Sequence, residues 1–217
     1  MEVTERRMYV KAILPSLERE VVARQGGREV GQPVNWGVSI SNSEVGSGRL
    51  RIDEFVYVLV CKNGMTVGRP LAKNHVGRAK GEGIDEVSEY YTDKTRKLDD
   101  AAFWSKVRDT VVASFNAERF DAAVARMQGA AEARIVGNPV EVVEVTAKRF
   151  QFNETEKGSV LRHLTEGGDL SQWGLLNAIT RTAEDVESYD RASQLEHIGG
   201  QVLELPQTDW KRLAEAA

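Results

Sequence analysis

The stretch VNWGVSISNSEVGSGRLRIDEFVYVLVCKNGM, running from Val34 to Met65, decides the fold class. Val34, Trp36, Val38 and Ile40 alternate with Asn35, Gly37, Ser39 and Ser41, the two-residue period of a strand with one face buried. Asn42 to Gly48 follows as a turn, built from residues that tolerate positive φ or bond their own backbone. Arg49 to Cys61 then reads as a second strand, long against the usual ~5–6 residues. The acids Asp53-Glu54 between Ile52 and Phe55 predict a bulge in it. Asn63-Gly64 is read as a further turn.

Toward the N-terminus, Met8, Val10, Ala12 and Leu14 alternate with Arg7, Tyr9, Lys11 and Ile13 until Pro15 ends the run. Leu17 to Ala23 reads as a short continuation, and Arg24-Gln25-Gly26-Gly27 as a turn. Toward the C-terminus, Val76 to Lys97 is aperiodic and dense in charge and glycine, the signature of a surface excursion.

From Asp99 the period becomes helical. Asp99 or Asp100 is placed to cap a helix with Phe103, Val107, Val111 and Phe115 on one face. Phe120, Val124, Met127 and Ala131 restart that stripe as a second segment. Asn138-Pro139 with Glu141 supplies a cap, a proline at the first helical position and an acid at the third. The valine-rich run Val140 to Val145 also fits a strand; helix is the preferred reading. Asn153 with Glu156 repeats the capping logic for a helix stopped by Gly167-Gly168. A helix over about Leu170 to Val186 carries Trp173, Leu176, Ile179 and Ala183 on one face. Ser188 caps Tyr189 to Ile198, which Gly199-Gly200 should end, and Val202, Leu203 and Leu205 form a last short strand or packed tail. The expected class is α+β: an N-terminal antiparallel β-sheet (1–78), a surface excursion (79–98) and a mainly helical region (99–217) packed on the sheet as one domain.

Composition sets the outer bounds. The chain has 217 residues, 41% of them hydrophobic and 29% charged, enough to bury a sizeable core. No stretch approaches the ~18 consecutive apolar residues of a membrane span. The start, Met1 to Arg7, carries acids where a signal peptide has bases, and a single cysteine, Cys61, excludes an internal disulfide and a cysteine-based zinc site. The expected location is the cytoplasm. Residues 1–80 hold 13 Lys and Arg against 8 Asp and Glu, whereas the remainder is acidic, so an anionic partner on the N-terminal side is compatible with the charge.

Several groups of residues are candidates for chemistry. His75, His163 and His197 fall in three separate elements without metal-ligand spacing and read as surface residues. Cys61 beside Lys62 could be activated, but a cysteine in a valine-rich run reads as a buried hydrophobe. Gly46-Ser47-Gly48 leads into a strand and lacks the Gly-Lys-Ser/Thr of a phosphate loop. Glu44 with Asp53 or Glu54 reads as a solvated hairpin end. No metal or cofactor is expected. The strongest candidate is a surface. With Met8, Val10 and Ala12 facing the core, Arg7, Tyr9 and Lys11 share the outer face with Arg49 and Arg51, and Lys73, His75 and Arg78 extend it. Bases for phosphates and a ring for stacking are what single-stranded nucleic acid needs. A plain solvated face has the same composition.

Three segments carry a family resemblance: Met8 to Pro15, Gly37 to Gly46 and Phe55 to Met65. With His75-Val76-Gly77-Arg78, Trp173 to Thr180, Tyr189-Asp190-Arg191 and Leu195 to Gly200, the chain resembles the phage and plasmid family called domain of unknown function 932. The resemblance implies a mobile-element setting in a bacterial host and carries over no catalytic residues. It leads to the expectation of a non-enzymatic DNA-metabolism protein binding single-stranded DNA, in annealing or recombination, as a homo-oligomer. The other reading is an anti-restriction or anti-defence protein acting on a host protein. An enzyme using Glu44, Asp53 or His75 is a third.

Overall fold

The structure, a computed structural model, describes residues 2–3, 7–43, 50–60, 63–74 and 91–216. Among these residues five strands pair in sequence order as one antiparallel sheet: β1 (Glu2–Val3), β2 (Met8–Gln25), β3 (Arg28–Asn42), β4 (Leu50–Val58) and β5 (Asn63–Asn74). Seven helices follow: α1 (Asp93–Ser114), α2 (Ala117–Glu132), α3 (Pro139–Phe150), α4 (Glu154–Gly167), α5 (Gln172–Thr182), α6 (Tyr189–Leu203) and α7 (Gln207–Ala214). The order is α+β, sheet first, as the periodicities imply.

Val34, Trp36 and Val38 are buried, but so are Asn35 and Gly37 between them, so this part of β3 is covered on both faces and not on one as its alternation predicts. Trp36 donates its indole N–H to the Ser114 carbonyl at 2.7 Å, and its ring lies 5.2 Å from Phe120. The β2–β3 hairpin closes at Gly26 and Gly27, both at positive φ (56° and 82°), the two-residue turn whose twist matches that of paired strands. Pro15 does not end β2. The ladder skips from Leu14 to Glu18, so proline sits in the irregularity, where its missing N–H costs no ladder bond, and pairing resumes to Gln25. A second irregularity falls opposite Asp53, between Ile52 and Glu54, where the acids predicted it. The extra residues belong to β5 and include Gly68, at φ 73°.

Two glycine pairs correct the sequence reading. Asn63-Gly64 is not a turn but the start of β5, paired with Val58 and Tyr57. A Cβ at Gly64 would run into the Phe55 ring. Gly199-Gly200 does not end α6, which continues to Leu203. A Cβ at Gly199 would meet the Thr180 methyl, and one at Gly200 the Thr66 carbonyl oxygen. These glycines let α6 approach α5 and β5 closely.

Most helix starts follow their local signals. Asn116, Asn138, Ser171 and Ser188 cap with their side chains, and Asn153 with Glu156 forms a reciprocal capping box. Asn138-Pro139 starts a helix over the valine-rich run, not a strand. α1 begins at Asp93 behind Thr92, six residues before the expected cap, so it takes in the end of the proposed excursion; residues 79–90 lie outside the described part. α7 had no counterpart in the sequence reading. The core joins one sheet face to α2, α4, α5 and α6 through Val21, Trp36, Val56, Met65, Phe120, Met127, Leu164, Trp173, Leu176, Ile179 and Leu195. Trp173 donates to Gln32 at 2.8 Å, fixing the helices to the β2–β3 hairpin. Among the described residues, no helix is long and apolar enough to cross a membrane.

Candidate functional site

The ladder places Tyr9 opposite Ser41 and Ser41 opposite Arg51, while Lys11 lies opposite Ser39 and Ser39 opposite Asp53. Directly paired residues share a face. The expected grouping of Tyr9, Lys11 and Arg51 therefore forms, and register places Lys73 opposite Arg51. Arg49, His75 and Arg78 lie outside the described residues, as do Glu44 and Cys61.

That face is not an open outer surface. α6 lies across it. Tyr9 is 4% exposed, whereas Met8 is 37% exposed and Ala12 is exposed too. Met8, Val10, Ala12 and Leu14 share the Trp36–Val38 face, as read, but the opposite face is covered at Tyr9 and partly at Lys11, while Ile13 stays 41% exposed. The cause of that cover is a set of carboxylates on α6: Tyr9 donates its hydroxyl to Asp190 at 2.5 Å, and Lys11 donates to both Glu196 oxygens at 2.6 Å. The Tyr9 and Tyr189 rings lie 4.9 Å apart, and the Lys11 ammonium sits 5.1 Å and 5.2 Å from the Phe55 and Tyr189 ring centres. Burial, then the Asp190 bond, pushes the Tyr9 phenol above its ordinary value, with Arg7 opposing. Burial likewise raises the Glu196 carboxyl, and the Lys11 charge only partly offsets it.

Between sheet and helix runs a cleft with two adjoining halves that meet at Glu196. One half, of about 240 Å³, is polar and is lined by Arg7, Ser39, Ser41, Arg51, Arg191 and Gln194, among others. His197, expected on the surface, is half-buried there. Arg51 bonds Asp53 at 3.1 Å, yet its buried Nε has no hydrogen-bond partner among the described residues. Arg191 is clamped by Glu156 at 2.7 Å and 2.8 Å; Arg191 in turn holds that carboxyl below its usual range, against the effect of burial. The other half, of about 470 Å³, is walled by Ile13, Phe55, Tyr57, Val186 and Tyr189. Asn63 and Thr180 supply its polar wall, and Glu184 and Glu187 also line it. Asn63 is 3% exposed and donates to Asn177 and Thr180, while its Oδ1 has no donor among the described residues.

Asp53, Glu54 and His163 are each tied to a neighbouring side chain. Asp53 and Glu54 are buried and point to opposite faces of β4, Glu54 taking Arg119 at 2.7 Å; they are not the solvated hairpin end the sequence suggested. His163 is buried, not superficial, with Nε2 2.8 Å from Asp185. Burial alone would raise the Asp185 carboxyl, but bonds from His163 and Ser159, with Arg162 nearby, hold it below its ordinary value. Among the described residues, no group of three or more His, Cys, Asp or Glu is arranged to hold a metal ion. Sequence reasoning missed the aromatic half, since Tyr189, Val186 and Thr180 come from the helical region and nothing local ties them to β4.

No family model, no curated protein and no solved structure matches the chain. Fold and site together define an α+β protein with a sheet–helix cleft that is arginine-lined at one end and aromatic at the other.

Proposed function

We propose that the chain is a non-enzymatic DNA-metabolism protein of the phage and plasmid type, which binds single-stranded DNA in the cleft between the sheet and α6. It acts in the cytoplasm of a bacterial host and as a homo-oligomer. One observation carries this reading: the cleft sets an arginine-lined half beside an aromatic half. Phosphates need the first and unstacked bases the second, each stacked base contributing ~1–3 kcal/mol. The acids at its centre each have a partner, Asp53 with Arg51, Asp190 with Tyr9 and Glu196 with Lys11, which moderates their repulsion of a phosphate chain. The resemblance of the chain to a mobile-element family points the same way. The test is an anisotropy titration of a labelled single strand against the matching duplex. Salt-sensitive binding that favours the single strand supports the reading; equal or absent binding rejects it.

A second reading has its own observation. α1 buries only Ser114 and exposes Leu98, Trp104 and Val112, at 63%, 60% and 67%. A helix about 33 Å long with so little cover suits a protein contact. It serves subunit assembly under the first reading and a host defence protein under the second. Capture of a host protein by a chain that does not bind DNA favours the second.

A further inference from the structure

We infer that the aromatic half of the cleft is a pocket for a single unstacked nucleobase bearing an exocyclic amino group. The inference rests on the DNA-binding reading and names what this half of the cleft recognises. Phe55, Tyr57 and Tyr189 offer flat apolar walls from two different elements, and about 470 Å³ lies within the ~300–1,000 Å³ range of small-molecule pockets. Its polar groups select the edge. Asn63 carries a buried acceptor with no donor among the described residues, an arrangement that favours a ligand donor. Glu184 and Glu187 add carboxylates that accept N–H bonds and repel phosphate, so the phosphate falls to the arginine half, where Arg51 Nε is a donor without an acceptor. An acceptor-rich edge suits the amino groups of cytosine, adenine and guanine; thymine, which lacks one, offers a single ring N–H between two carbonyls. Gly64 keeps the floor open, because any side chain there would displace the Phe55 ring.

The test is calorimetric titration of the full chain with dCMP, dAMP, dTMP and deoxyribose 5-phosphate, run for the wild type and Tyr57→Ala. Tyr57 is half-buried at the cavity wall, so its truncation should leave a folded chain. The expected result is binding of dCMP and dAMP about tenfold tighter than dTMP, no detectable binding of the sugar phosphate, and a loss of about fivefold or more in Tyr57→Ala. Asn63→Leu should erase the preference over dTMP; if that variant fails to fold, the wild-type base series decides the point alone. Sugar phosphate binding as tightly as dCMP, or no effect of Tyr57→Ala, overturns the pocket. An oligonucleotide with one abasic position separates the two claims. Tight, salt-sensitive binding of a single strand together with base-independent mononucleotide binding leaves the DNA reading standing and the pocket refuted. Selective mononucleotide binding with no gain in an oligonucleotide does the reverse.

Discussion

Lys11 and Glu196 show how one pair sets the character of the site. Their charges sit between sheet and α6, mostly withdrawn from water, with two oxygens on one ammonium and two rings beside it. Removing one partner leaves the other charge buried and unpaired, so Lys11→Met should destabilise the fold by roughly 2–3 kcal/mol in urea unfolding. The pH dependence follows from direction. Because the folded Glu196 carboxyl holds its proton more tightly than the unfolded chain does, its contribution is full below the ordinary value of 4.5 and is lost as pH rises through the raised value. Glu156 is the opposite case: its contribution is present above 4.5 and is lost as pH falls through the lowered value. Melting curves from pH 3 to 8 should therefore lose their decline on the higher-pH side in Glu196→Gln and part of their acid-side decline in Glu156→Gln. Unaltered profiles would contradict both assignments.

At the scale of elements, what sequence reveals divides by range. Caps were legible because Asn153 and Glu156, or Asn138 and Pro139, act on their own helix within three residues. The β2–β3 turn was legible for the same reason. The covering of the Tyr9–Lys11 face was not, because these residues find their partners 181 and 185 residues away. Glycines failed in a consistent way. Gly64 and Gly200 read as punctuation, yet each permits a close approach, to the Phe55 ring and to the Thr66 carbonyl. Gly64→Ala and Gly200→Ala should each cost about 1–3 kcal/mol by chemical denaturation, far more than alanine costs at an exposed helical glycine such as Gly129, where a Cβ meets nothing. α1 is the element whose role reaches beyond the chain. Trp104→Glu should change stability by no more than about 0.5 kcal/mol and should reduce the mass seen by light scattering, if α1 holds subunits together. An unchanged mass would leave α1 out of self-assembly.

On the scale of the whole molecule, a basic N-terminal third and an acidic helical region meet at one cleft, and the meeting changes what the basic residues can do. On an open sheet they would be a non-selective platform. Beneath α6, Tyr9 and Lys11 serve the fold, and Arg51 and the aromatic walls remain for a ligand. If phosphates are held at the arginine half, counterion release reports them directly. The dissociation constant of a labelled single strand should be measured across a salt series for wild type and Arg51→Gln. Arg51→Gln should bind more weakly, with a log–log salt slope shallower by about 0.7, the value of one lost phosphate contact on a single strand. Equal affinity and an identical slope would contradict that placement of phosphates.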